Sequence, residues 1–278
     1  MKLGVNLWTV YGWSLDEAVS DEVLQSLIQR GSQAIELVLD EGKNSEERLL
    51  QRSSEIKSLL SASGVDIPSI GSTLFWPYNL ASHDQNKRQR GSEIIRAGCR
   101  VANAYGAGVF LVVAGQQEPD TEYAASYENA IHSLQQVADY AADHNVVIGV
   151  ENVPGSFLCS PGEYARFIDD VGHPAVQAYL DVGNGAATGP SFAENWITAV
   201  KGKIAMVHVK DYDRELRTFA YCGEGDLNWS QIIKALQGAD YDGYLMIETP
   251  PKAGRTQPSR LAGLHAAHAN LLWMKQFI

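Results

Sequence analysis

Only three cysteines (Cys99, Cys159 and Cys222) occur in the 278 residues, far apart and with no CxxC spacing. That scarcity excludes a disulfide framework and a thiolate zinc knuckle, and it fits a reducing compartment. No apolar run approaches the roughly 20 residues of a membrane-spanning helix. The opening "MKLGVNLWTV" is too short an apolar stretch for a secretory leader, and a turn follows it at once. Positive charge is in deficit: 22 Lys and Arg against 33 Asp and Glu leave a formal net charge of −11. Such a chain repels phosphate backbones and anionic bilayers at long range, so neither nucleic acid nor membrane is the expected partner. No GxGxxG follows the first apolar run, which removes the main signature of a dinucleotide-binding sheet. Linkers, low-complexity tracts and composition breaks are missing as well. The expectation is a cytoplasmic protein folded as one domain over residues 1–278.

What is present is a regular alternation. Short β-rich runs appear as "LGVNLW" (3–8), "AIELVL" (34–39), "IPSIGST" (67–73), "VFLVVAG" (109–115), "VIGVEN" (147–152), "AYLDVGN" (178–184), "IAMVHVKD" (204–211) and "GYLMIET" (243–249). Helix signals fill the gaps. Ser14 with Glu17, Ser160 with Glu163 and Asn228 with Gln231 have the spacing of capping boxes, and Pro161 suits a first helical position. Apolar residues at helical spacing predict two long helices ending near Gly106 and Asn145. Strand and helix repeated eight times predict an α/β fold, a single (β/α)8 TIM barrel.

Barrels of this class carry their chemistry at the carboxyl ends of the strands. The last four predicted strands end in ionisable residues: Glu151, Asp181, His208 and Glu248. Side chains alternate between the two faces of a strand, so all four can point into one barrel mouth. Three carboxylates and one imidazole make a hard, oxygen-rich set that suits one divalent ion. Mn²⁺, Mg²⁺ and Co²⁺ fit it best, with Zn²⁺ also compatible. Lys210 shares parity with His208 and is placed to contact a substrate oxygen or phosphate. Asp211 is a candidate to orient His208 or to pair with Lys210. Glu36 lies mid-strand, where a buried carboxylate needs partners; it either supports the metal ligands or anchors a hydrogen-bond network inside the barrel. Trp8, Trp13, Trp76, Tyr78 and Phe157 follow predicted strands and either stack on a ligand or pack the loops. Glu224, in the glycine-bracketed loop "CGEGDLNW", is a candidate to cover the site.

The succession "VENVPG", "LDVGN", "VHVKD", "GEGDLNW" and "MIET" resembles the sugar phosphate isomerase/epimerase superfamily of xylose isomerase-like TIM barrels. Within it the motifs are similar to those of L-ribulose-5-phosphate 3-epimerases and other ketose 3-epimerases. The resemblance is most specific over residues 147–250. It implies that Glu151, Asp181, His208 and Glu248 bind one metal ion, and that Glu151 and Glu248 flank a substrate carbon as acid and base. It implies no organic cofactor, a small sugar or sugar phosphate as partner, and a homo-oligomer as the family's common assembly. The expected reaction is α-proton abstraction and return through a metal-stabilised enediolate. A metal-dependent lyase acting on a keto-inositol or a C-glycoside starts from the same abstraction and is the alternative. Free-ketose 3-epimerases carry a histidine where Asn184 stands, which favours the pentulose-phosphate branch and leaves Asn184 as a substrate contact. Related abasic-site endonucleases add histidines at earlier strand ends; here strands three and four end in "IGST" and "VVAGQQ".

Overall fold

The eight runs form eight strands in a computed structural model that describes residues 1–12, 19–189, 191–249 and 260–278. With a two-stranded hairpin added to those eight, the strands among the described residues are β1 Lys2–Asn6, β2 Ala34–Leu39, β3 Ser69–Ser72, β4 Val109–Val113, β5 Val147–Glu151, β6 Val176–Asp181, β7 Ile204–Val209, β8 Asp211–Asp213, β9 Thr218–Ala220 and β10 Tyr244–Ile247. Eight of them close a barrel in the order β1-β10-β7-β6-β5-β4-β3-β2. Its neighbouring pairs are parallel, including the closing pair β1 and β10. Every residue of β2 and β4 is buried, as expected where helices cover the outside and side chains fill the inside. The interior is packed by matching small residues to large ones. A Cβ on Gly4 would stand 2.5 Å from Met246 Sδ, and one on Gly149 would stand 2.9 Å from the Tyr179 ring.

Local chemistry sets the helix ends. Ser160 and Asn228 accept hydrogen bonds from the Glu163 and Gln231 amides, each at 3.2 Å, so both act as N-caps. The long helix Gln85–Tyr105 ends on Gly106 with φ 75°, a left-handed cap that favours glycine. The expected cap at Ser14 and Glu17, and Trp13, lie outside the described residues. Among the described residues no helix is long and apolar enough to cross a membrane.

Several strands are shorter than the runs that predict them, and two of these departures shape the site. β6 stops at Asp181 rather than running to residue 184, because Asp181 Oδ1 accepts the Asn184 amide at 2.7 Å and starts the helix Val182–Ala187. β7 stops at Val209, and the following residues form a small antiparallel hairpin, with Asp211 paired to Ala220 and Asp213 to Thr218. The Asp211 carboxylate fixes that turn-off. It accepts the amides of Tyr212 (2.9 Å), Gly223 (2.9 Å) and Leu227 (3.1 Å), and the Trp229 indole N–H (2.8 Å). A slip in register between β6 and β7 pairs Ala178 with Ile204 but Tyr179 with Met206, which sets Asp181 directly opposite His208.

Candidate metal centre

The barrel delivers four side chains to one end. Glu151 and Asp181 are the last residues of β5 and β6, His208 is the penultimate residue of β7, and Glu248 follows β10. One ligand atom from each lies within 4.8 Å of the others. Asp181 and His208 are wholly buried, and the Glu248 side chain is 17% exposed.

Glu36 decides how His208 faces this cluster. Its Oε2 lies 2.7 Å from His208 Nε2. A carboxylate only accepts, so Nε2 carries a proton held by Glu36, and Nδ1 is the nitrogen left to bind an ion once its own proton is displaced. Nδ1 faces Glu151 Oε1 at 3.1 Å, Glu248 Oε1 at 3.5 Å and Asp181 Oδ2 at 3.9 Å. Glu36 is itself held by Asn6 Nδ2 at 2.7 Å and by the Tyr179 hydroxyl at 2.8 Å. The Tyr179 ring lies 4.5 Å from the imidazole, centroid to centroid. Asn152 fixes Asp181 from the backbone side: its amide oxygen accepts the Asp181 N–H at 2.8 Å, and its amide nitrogen donates to the Asp181 carbonyl at 2.9 Å.

The electrostatics are those of crowded carboxylates in a dry place. Burial, then the neighbouring Glu248 charge, pushes the Glu151 carboxyl up to about 7. Burial also raises Asp181, against the pull of Lys210. Burial would raise Glu248, but the Lys210 ammonium and His208 outweigh it and hold that carboxyl below its usual range. For His208, burial works toward the neutral ring, and Glu248, Glu36 and Glu151 overcome it, so its pKa lies well above the usual value. A divalent cation relieves this excess of negative charge, and the donor set fits one: three carboxylates, one imidazole whose Nε2 proton Glu36 holds, and no thiolate.

A cavity of about 340 Å³ opens beside the cluster. Glu151, Glu248 and Lys210 line it, together with Asn6, Ser72, Thr73 and Asn184 on its polar side. Trp8, Trp76, Leu111, Val113, Pro154 and Phe219 form the apolar side. Glu36, expected as a support or a network anchor, touches His208 itself. Lys210 lies inside the cluster, with Nζ 2.5 Å from Asp181 Oδ2 and 2.6 Å from Glu248 Oε2. Asp211 neither orients His208 nor pairs with Lys210, because the four N–H groups of the loop after β7 use its carboxylate. Glu224 is exposed on that loop and stands apart from the cavity lining. Phe157 packs against Tyr123 at 5.5 Å and Tyr78 donates to Glu41 at 3.1 Å, so both belong to loop packing. Asn6, Asn152, Tyr179 and Phe219 were not singled out from sequence. For the two asparagines a signal existed: a buried amide beside an apolar strand needs hydrogen-bond partners.

Comparison with known proteins agrees with the barrel fold. The profile of the xylose isomerase-like TIM barrel family matches residues 24–276. The L-ribulose-5-phosphate 3-epimerase UlaE of Escherichia coli (strain K12 / DH10B) is 25% identical over 234 residues, which are 82% of this chain and 81% of UlaE. A crystal structure of a D-psicose 3-epimerase in the presence of D-fructose superposes with a TM-score of 0.81 at 17% identity, covering 100% of this chain and 99% of that one. The IOLI protein, solved with a binding zinc atom, superposes at 0.78 with 15% identity, covering 100% and 99%. At these identities the two structural likenesses are of fold.

Proposed function

The chain belongs to the xylose isomerase-like TIM barrel family, within the sugar isomerase/epimerase superfamily, and from that premise we propose that it epimerises or isomerises a ketose or ketose phosphate. One observation carries the reading. Glu151 and Glu248 both line the cavity, whereas Asp181 and His208 lie buried behind them. Two of the four candidate ligands therefore have access to a bound substrate, and both are carboxylates that can exchange a proton with it.

The chemistry follows from the acidity of the bond to be broken. A C–H next to a keto group is a weak acid, and its removal leaves negative charge on the carbonyl oxygen. A divalent ion held by Glu151, Asp181, His208 and Glu248 would supply Lewis-acid polarisation of that oxygen. Mn²⁺ suits the donor set best, and Mg²⁺, Co²⁺ and Zn²⁺ are compatible with it. Of the two glutamates, one takes the α-proton from one face of the carbon and the other delivers a proton to the opposite face, which inverts the centre. In the metal-free chain their environments push the two carboxyls in opposite directions, Glu151 up by burial and Glu248 down by Lys210 and His208. Trp8 and Trp76 offer flat apolar faces to the ring or chain of a sugar, and Asn6, Ser72 and Asn184 offer hydrogen bonds to its hydroxyls. The name of the UlaE relative supports a pentulose phosphate, and the name of the D-psicose 3-epimerase supports a free ketose; the site chemistry serves both.

Elemental analysis of the purified chain is expected to find close to one divalent ion per chain. NMR of ketoses and ketose phosphates incubated with the metal-loaded protein is expected to show a second epimer. Protein that binds no divalent ion and leaves every substrate unchanged would refute the proposal.

A further inference from the structure

Lys210 has a place that the proposed chemistry does not require. Its residue is 4% exposed, and its ammonium bridges Asp181 Oδ2 and Glu248 Oε2 at 2.5 and 2.6 Å. The other Asp181 oxygen, Oδ1, accepts the Asn184 amide at 2.7 Å. Oδ2 is also the Asp181 oxygen that faces His208 Nδ1, at 3.9 Å. An ion between His208 Nδ1 and the Asp181 oxygen that faces it would meet the oxygen that Lys210 holds.

We propose that Lys210 is an internal counter-cation of the metal site: it holds Asp181 and Glu248 together in the metal-free chain and gives up Asp181 Oδ2 when the ion enters, thereby setting the site's affinity for metal. The inference rests on the reading of the four residues as a metal centre. Its physical basis is charge. Glu36, Glu151, Asp181 and Glu248 form one buried cluster around His208. Without a compensating cation such a cluster opposes its own folding, and an ammonium inside it supplies that cation before metal arrives. A divalent ion at the same oxygens supplies more charge and repels the ammonium at short range. The Phe219 ring flanks the same ammonium on the cavity side. The Lys210 Nζ lies 5.0 Å from the centre of that ring, and the side chain already lines the cavity. Gly183 leaves room for the stem, since a Cβ there would stand 2.5 Å from Lys210 Cγ. The stem is thus confined, and the head alone moves. Lys210 is a positioning residue in this account, acting through Asp181 and Glu248.

The test is Mn²⁺ titration calorimetry on wild type and Lys210→Met, with thermal melting of both metal-free proteins. The variant is expected to bind Mn²⁺ roughly tenfold or more tightly than wild type and to melt several degrees lower without metal. A residue with a merely structural role would lose stability and weaken metal binding together, so unchanged or weaker binding overturns the proposal. Should Lys210→Met not fold, wild type with ¹⁵N-labelled lysine decides. The buried ammonium signal is expected in the metal-free protein and should shift on adding Zn²⁺; a signal indifferent to bound Zn²⁺ overturns the proposal. Wild type that binds neither Mn²⁺ nor Zn²⁺ refutes the metal centre itself, a separate outcome.

Discussion

Replacing Glu36 tests whether the imidazole tautomer controls the metal site. Its carboxylate accepts from Asn6 Nδ2, the Tyr179 hydroxyl and His208 Nε2, all in the interior of the barrel. In Glu36→Leu these donors lose their acceptor. The Tyr179 hydroxyl has an alternative in Ser69 Oγ at 3.3 Å. Two buried donors are then left unpaired, at about 1–3 kcal/mol each, so the metal-free variant should lose about 2–6 kcal/mol of stability. The larger diagnostic is metal binding. With nothing to fix the Nε2 proton, His208 is free to protonate Nδ1 instead. Loss of such a support typically lowers metal affinity about 10–100-fold. Glu36→Gln is the control. Its amide oxygen can occupy the Oε2 position and accept from both Asn6 and His208, while its NH₂ donates to the Tyr179 hydroxyl, which then donates to Ser69. The tautomer survives, and metal affinity should stay within a few-fold of wild type. Urea unfolding of the metal-free proteins and calorimetric titration with Mn²⁺ read both effects. A Glu36→Leu protein that binds Mn²⁺ as wild type does, or a Glu36→Gln protein as weak as the leucine variant, would show that Glu36 does not act through the tautomer.

Two further predictions concern the scaffold. Asp66, at the amino end of the barrel, accepts from Lys2 Nζ at 2.7 Å and from the Tyr244 hydroxyl at 2.8 Å, and Lys2 holds its carboxyl below the usual range. A depressed folded-state pKa adds stability above the unfolded value and loses it as pH falls through the folded one. Asp66→Asn should therefore melt lower near neutrality, by about 1 kcal/mol or less at this half-exposed position, and the gap should close as pH drops below about 4; a gap constant from pH 7 to 3 would contradict this. Gly98→Ala adds a good helix former to the helix Gln85–Tyr105, worth about 1 kcal/mol on propensity alone. The new methyl would run into the Phe110 ring of β4, so chemical denaturation should show a net loss of about 1–3 kcal/mol, and a stabilised variant would contradict the packing.

Much of this architecture was legible in the sequence because a parallel barrel repeats one local pattern. Each strand is short, apolar and bounded by turn or cap signals, and Ser160 and Asn228 mark helix starts that the structure reproduces. The strand-end positions of Glu151, Asp181, His208 and Glu248 were readable for the same reason, since strand periodicity fixes which face a residue takes. What was not readable is lateral. Glu36 and His208 are 172 residues apart, and no local pattern tells which of its neighbours a buried carboxylate will meet. The partners of Lys210 are equally non-local, so parity placed its head at the mouth without revealing that two carboxylates would claim it. The hairpin of β8 and β9 was not readable because its strands, DYD and TFA, are too short to show a period, and because Asp211 holds it through N–H groups reaching as far as residue 229.

The central claim is that this site removes a proton next to a carbonyl. The most direct measurement is deuterium incorporation from D₂O into ketoses, ketose phosphates and keto-inositols, followed by NMR with the Mn²⁺-loaded protein and with the same protein stripped of metal. The account predicts exchange at one carbon adjacent to the keto group of at least one substrate, dependent on the metal and abolished in Glu151→Gln. Exchange that persists without metal or in Glu151→Gln, or no exchange in any of these substrates by protein carrying its metal, would contradict it.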